Sequence, residues 1–201
     1  RRISITGVTA DSREVVPGSL FVALPGTRAK GIDFIPQAIE KGAAVVLVDT
    51  EDDLPAGLDV PVLRDGDPAR RFARMLARFH GPQPKTVVAV TGTNGKTSVA
   101  AFVRQIWLAA GYEAASIGTV GVTTRAGNAY GNMTTPDAAT LHRTLHDLAA
   151  DGINHVAMEA SSHGLIQRRL DGVEVAAGAF TNLSRDHLDY HGTMEAYMAA
   201  K

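Results

Sequence analysis

The 201-residue chain contains no cysteine. Disulfides, thiolate metal centres and cysteine nucleophiles are therefore excluded, and the composition agrees with a cytoplasmic enzyme. Aromatic residues make up only 5% and the net charge is −1. A nucleic-acid partner would need a basic footprint or a set of base-stacking platforms, so none is expected. No membrane span is expected either, because the longest apolar runs, such as residues 42–48, are strand-sized. Arg1 and Arg2 lead into no signal-peptide apolar region. The chain begins without Met and ends on Lys201 inside a helical pattern, so trimming at both ends is expected.

What is present is organised around Val-Thr-Gly-Thr-Asn-Gly-Lys-Thr-Ser, Val90 to Ser98. It follows the β-branched run Thr86 to Val90 and precedes a helical pattern, a junction that suits phosphate chemistry. Glycines let backbone N–H groups close on phosphate oxygens, and the helix N-terminus adds partial positive charge. Lys96 can reach the outer phosphates, and Thr97 can offer its hydroxyl to Mg²⁺. The stretch therefore reads as an ATP-binding P-loop in a shortened form. The general pattern places its first glycine where Val90 stands, whereas Gly92 lies closer to Gly95. Gly-rich strand-to-helix turns beside a lysine also occur in α/β domains without a ligand.

Upstream, residues 3–10 alternate like a strand, and Asp11-Ser12-Arg13 taken alone is a solvated turn. Leu20 to Leu24 is a short strand closed by Pro25-Gly26, and residues 27–31 form a polar loop. A helix over Phe34 to Lys41, capped by Gly42, leads to a buried strand over Ala43 to Val48. Val60 to Leu63 is a further strand. Asp67-Pro68 opens a helix whose Phe72, Met75, Leu76 and Phe79 form a core-facing stripe. Gly81-Pro82-Gln83-Pro84 breaks that helix, which puts the domain boundary there: 1–84 and 85–201.

In the second part the P-loop helix runs from Thr97 to about Ala110 and stops at Gly111. Glu113 to Ile117 is a strand, and residues 118–131 are paired short strands or a long loop. Thr135 caps a helix whose first residue is Pro136 and which runs to about Ala150. His142 and His146 on it lack the following Glu of a zinc-protease helix and are surface or packing residues. Ile153 to Met158 is a central strand ending at Glu159. A carboxylate there, beside a phosphate loop, is placed for Mg²⁺, although a salt-bridged Glu would look the same. Ser161 to Gly164 is a tight polar turn, and Val175 to Phe180 is another strand. The following run holds Arg185, Asp186, His187, Asp189 and His191, of which His187 is the candidate Mg²⁺ ligand.

TGTNGKTS, the TTPD turn at Thr134 to Asp137, MEASSHGL from Met158, and TNLSRDHLDYHGTMEAY from Thr181 together resemble the Mur ligases. The DSR and FVALPG stretches are similar to the subgroup that adds the third amino acid of the peptidoglycan peptide. The resemblance spans essentially the whole chain. It implies a small N-terminal α/β uridine-binding domain followed by a P-loop-containing, mostly parallel-sheet ATPase domain, with the family's C-terminal domain lying beyond the chain. It implies that Ala10, Ser12, Thr27, Arg28 and Ala29 hold the uridine end of UDP-N-acetylmuramoyl-L-alanyl-D-glutamate. Thr134, Thr135, Ser161, Gln167 and Arg169 would grip the rest. Gly92, Thr93, Asn94, Gly95, Lys96, Thr97 and Ser98 would bind ATP. Thr97, Glu159 and His187 would bind Mg²⁺, joined by Lys201 if CO₂ converts it to a carbamate. Lys96, Glu159, His187 and Lys201 are thus the expected catalytic set.

The implied activity is ATP-dependent amide formation with meso-diaminopimelate or L-lysine by a cytoplasmic monomer. Without the C-terminal domain, turnover is expected to be negligible. A folylpolyglutamate synthase-like ligase and a nucleotide-gated binding module are the alternatives. The former is not expected to carry an N-terminal uridine-binding domain or the DSR stretch, and ADP formation dependent on the muramyl dipeptide would separate a ligase from the latter.

Overall fold

The computed structural model describes residues 2–26, 30–54, 57–131 and 133–201. The chain divides into two compact units, Arg1–Phe79 and His80–Lys201.

In the first unit four strands, β1 (Gly7–Thr9), β2 (Ser19–Val22), β3 (Val45–Asp49) and β4 (Val62–Asp65), lie parallel in sequence order. Parallel neighbours require crossovers. The one between β2 and β3 contains a single 3₁₀ turn, Gly31–Phe34, and α1 (Ile35–Glu40). Gly42, at φ +96°, ends α1 in the left-handed conformation that glycine adopts without steric cost. β2 and β3 are buried almost throughout, and Phe21, Val46 and Val48 form one core with Ile35 and Ala38 of α1. α2 (Pro68–His80) starts at Pro68, whose missing N–H is an orphan at that position anyway. Its buried stripe comprises Phe72, Ala73 and Leu76, while Phe79 is exposed. The strand expected over residues 3–10 shrinks to Gly7–Thr9, the residues that pair in register with β2.

The second unit runs β5 (Thr86–Thr91), α3 (Lys96–Ala109), β6 (Ala114–Gly118), β7 (Gly121–Thr123), β8 (Asn128–Ala129), α4 (Ala138–Ala150), β9 (His155–Glu159), α5 (Ser162–Ile166), β10 (Val175–Phe180), α6 (Leu188–His191) and α7 (Met194–Ala200). Its sheet has the order β10-β5-β9-β6-β7-β8, parallel from β10 to β6 and antiparallel beyond. Val87, Val156, Met158, Ala115 and Ile117 project from one face by strand alternation and pack with Leu141, Leu145 and Leu148 of α4. Val90, Ala157 and Ala114, on the opposite face, are buried as well. α3 packs against β5, β6 and β9.

Two local expectations change. α4 begins at Ala138 rather than Pro136, because the cap is Asp137, whose carboxylate accepts the Thr140 N–H at 2.9 Å. The segment expected as a polar turn after Ala160 is instead the short helix α5. Ser161 initiates it by accepting the Gly164 N–H at 3.1 Å.

Candidate active site

The sheet order sets the location. β5 and β9 are parallel neighbours with Val90 opposite Glu159, so the loop after β5 and the carboxylate ending β9 emerge side by side at the carboxyl end of the sheet. The β5–α3 loop turns on Gly92 at φ +132° and Gly95 at φ +86°, and Gly95 is the N-cap of α3. A side chain on Gly92 would also run into the Thr181 hydroxyl.

The segment following β10 clamps this loop. Thr93 N–H donates to the Asn182 carbonyl at 2.9 Å and Asn94 N–H to Asn182 Oδ1 at 3.1 Å. Thr181 Oγ1 and Asn182 Nδ2 both donate to the Asn94 carbonyl, at 2.7 and 3.1 Å. The Thr93 hydroxyl accepts the Ser184 N–H at 3.0 Å and lies 3.2 Å from the buried Tyr197 hydroxyl. The Thr93 and Asn94 N–H groups are thereby committed to Asn182. An anion at this loop would meet the first-turn N–H groups of Lys96, Thr97 and Ser98, which a helix cannot satisfy itself.

Two ammonium groups converge on one carbonyl. Lys96 Nζ donates to Gly92 O at 2.9 Å and Thr93 O at 2.8 Å, and Lys201 Nζ donates to Gly92 O at 2.7 Å. Burial, and then the neighbouring Lys201 charge, hold Lys96 below the usual lysine range. Burial lowers Lys201 as well, partly opposed by Asp186. Lys201 also lies 4.5 Å above the Tyr197 ring, one helical turn earlier on the same face of α7.

Glu159 is 2% exposed. Its Oε1 accepts the Thr119 N–H at 2.9 Å, and its backbone carbonyl accepts the Thr135 hydroxyl at 2.8 Å. Thr135 Oγ1 in turn accepts the Ser161 N–H at 2.9 Å, and the Thr135 carbonyl receives Arg169 Nη1 at 2.6 Å. Arg169 reaches Gln167 Oε1 through Nε and Nη2, at 3.1 and 2.6 Å. The structure thus joins Thr135, Ser161, Gln167 and Arg169 to the Glu159 end of the sheet, and the Thr134 hydroxyl lies 3.0 Å from that of Thr119.

His187 adopts a left-handed backbone at φ 51° as the N-cap of α6, and its ring meets His163 edge-on at 4.9 Å. His163 stacks on Tyr190 at 4.1 Å, while His191 Nε2 lies 2.9 Å from Ser162 Oγ. Burial first, then neighbouring imidazoles, hold His163 and His191 below the ordinary histidine range. In the first unit Ser12 is buried and donates to Gln37 Oε1 at 2.7 Å, and Ala10 is half-buried. Thr27, Arg28 and Ala29 lie outside the described residues.

Among the described residues no group of three or more His, Cys, Asp or Glu side chains converges into an all-protein metal cage. Glu159 and Thr97 still supply the carboxylate and hydroxyl oxygens that suit Mg²⁺, an ion that keeps waters and draws its remaining ligands from substrate phosphates. The residues that sequence reasoning leaves out are those of the clamp and the carboxylate cradle: Thr119, Thr181, Asn182 and Tyr197. Thr181, Asn182 and Tyr197 lie in the TNLSRDHLDYHGTMEAY motif, but nothing local in it gives them a role.

Comparison with known proteins identifies the family. The family model for the Mur ligase middle domain matches residues 90–201, and that for the Mur ligase family catalytic domain matches residues 4–80. A UDP-N-acetylmuramoyl-L-alanyl-D-glutamate–2,6-diaminopimelate ligase of Rhizobium meliloti (strain 1021) is 56% identical over 99% of this chain and 40% of its own length. The protein of the same name from Caulobacter vibrioides (strain ATCC 19089 / CIP 103742 / CB 15) is 53% identical over 98% of this chain and 41% of its own. A solved structure named for the same ligase superposes with a TM-score of 0.84 at 35% identity, over 98% of this chain and 40% of that one. The chain thus spans about 40% of the length of the curated relatives it matches. The MurF ligase of Thermotoga maritima, solved with ADP, shares the fold at a TM-score of 0.59 and 22% identity, over 96% of this chain and 41% of that one.

Proposed function

The chain belongs to the Mur ligase family, and from that membership we propose that it forms the uridine-binding and ATP-binding part of a ligase in peptidoglycan precursor synthesis. The ligase joins 2,6-diaminopimelate to UDP-N-acetylmuramoyl-L-alanyl-D-glutamate. The carrying observation is that relatives at 56% identity over nearly the whole chain bear that name. The juxtaposition of a phosphate loop with the buried Glu159 supports it.

The chemistry begins at the D-Glu side-chain carboxylate. A carboxylate is a poor acyl donor to an amine, so one oxygen first attacks the γ-phosphorus of ATP, giving an acyl phosphate and ADP. The amine of diaminopimelate then adds to the carbonyl carbon, phosphate departs with the bridging oxygen, and the ammonium proton is lost to solvent.

Little covalent work falls to the protein, so positioning and charge do most of it. The first turn of α3 receives phosphate oxygens. Lys96, released from the Gly92 and Thr93 carbonyls, follows the charge onto the transferring group. Thr97, Glu159 and His187 are the residues that would hold Mg²⁺, which when bound would supply positive charge against the phosphates. Thr134, Thr135, Ser161, Gln167 and Arg169 would orient the muramyl dipeptide, while Ala10, Ser12 and the 27–29 loop would take the uridine end.

The lowered basicity of Lys201 favours carbamylation, because only the neutral amine adds CO₂: R–NH₂ + CO₂ gives R–NH–COO⁻ and a proton. The product is an anion beside the phosphate loop, able to bind Mg²⁺ where an ammonium would repel it.

The test is phosphate release from ATP by the chain extended to the length of its relatives. Release that requires both the muramyl dipeptide and diaminopimelate, and that L-lysine does not support, is the expected outcome. Release with a folate and glutamate instead would overturn the proposal.

A further inference from the structure

Glu159 does not stand alone at the end of β9. Both of its carboxylate oxygens face Thr119, which directly follows β6. The Thr119 N–H donates to Oε1 at 2.9 Å, and the Thr119 hydroxyl lies 3.5 Å from Oε2. The same hydroxyl is 3.0 Å from the hydroxyl of Thr134. Directly before it, Gly118 presents bare backbone to the carboxylate, and a Cβ there would run into Glu159 Oε1. Gly118 and Thr119 together therefore form a cradle shaped to one carboxylate position.

Proton accounting gives the cradle a direction. An ionised carboxylate only accepts, and each threonine hydroxyl has one proton to give. The carboxylate is the stronger acceptor, so the Thr119 proton turns to Glu159 and Thr134 donates to Thr119. Thr134 is thereby tied to the position of Glu159 through one intervening hydroxyl. Thr135 provides a second tie, through the Glu159 backbone carbonyl at 2.8 Å.

We propose that Thr119 is a positioning residue that sets the Glu159 carboxylate for its metal and couples that carboxylate to the muramyl-dipeptide loop at Thr134. Occupancy of either site then favours the other. This rests on the functions proposed above for Glu159 and Thr134, and extends them to a residue that touches neither ligand.

The test uses the chain extended to the length of its relatives, with a non-hydrolysable ATP analogue and Mn²⁺ standing in for Mg²⁺, read by electron paramagnetic resonance. In the wild type, the muramyl dipeptide is expected to tighten Mn²⁺ binding about fivefold. Thr119→Val keeps the shape and the N–H but removes the hydroxyl. It is expected to weaken Mn²⁺ about tenfold and to abolish the tightening by the dipeptide. Thr119→Ser, which restores the hydroxyl, is expected to recover both, and that recovery separates positioning from a general loss of fold.

A Thr119→Val protein that binds Mn²⁺ like wild type with the coupling intact would overturn the proposal, as would a Thr119→Ser protein as impaired as Thr119→Val. If the wild type binds no Mn²⁺ beside the nucleotide analogue, the metal function proposed for Glu159 fails, and the role of Thr119 fails with it.

Discussion

His142 on α4 is 3% exposed, with its Nε2 3.0 Å from the Asp171 carbonyl. A carbonyl only accepts, so Nε2 carries the proton in the neutral ring. Burial holds the pKa of His142 below the ordinary value; the Asp171 bond opposes that shift and the His80 charge adds to it. On acidification the unfolded chain therefore takes up this proton first. Stability is complete above the ordinary imidazole pKa of about 6.5 and declines as pH falls below it. His163 and His191 are shifted in the same direction and add to the slope. His142→Gln keeps a donor for Asp171 but cannot titrate. Urea midpoints at neutral and mildly acidic pH should differ less in that variant than in the wild type, and an equal difference would exclude His142 as a source. Sequence reasoning placed His142 as a surface or packing residue, and packing is its role. The Asp171 bond leaves no local signal in the sequence, because it spans a separation of 29 residues.

At the scale of the element, local chemistry decided what was legible. The strand-to-helix junction at the phosphate loop carries its own glycines, and the central strand β9 carries its own apolar run, so both were readable. The start of α4 was not. Thr135 and Asp137 are both good caps, and the choice between them was made by tertiary structure. Thr135 is fully buried and spends its hydroxyl on the Glu159 carbonyl, which leaves capping to Asp137. Asp137→Ala should therefore cost about 1 kcal/mol of stability by denaturant titration, the usual value for a lost N-cap. A Thr135 substitution should instead disturb the Glu159 end of the sheet. The short helix α5 was missed for a related reason: Ser161 reads equally well as a turn residue or a cap, and only the Gly164 N–H distinguishes them.

Across the whole molecule, the two α/β units and their parallel sheets were readable from the alternation of strand and helix patterns. The strand order of the second sheet was not, because β9 enters between β5 and β6 through pairings far apart in sequence. The clamp on the phosphate loop has the same character: Asn182 holds Asn94 across 88 residues. The proposed function requires that a carboxylate be activated with ATP before an amine takes it. The most direct measurement uses muramyl dipeptide labelled with ¹⁸O in both oxygens of the D-Glu side-chain carboxylate, turned over with ATP and diaminopimelate by the chain extended to the length of its relatives. Because phosphate leaves with the bridging oxygen, one labelled oxygen should appear in each phosphate released and one should remain in the amide. Unlabelled phosphate would mean that water, not the substrate carboxylate, had taken the phosphoryl group, and would contradict the ligase mechanism.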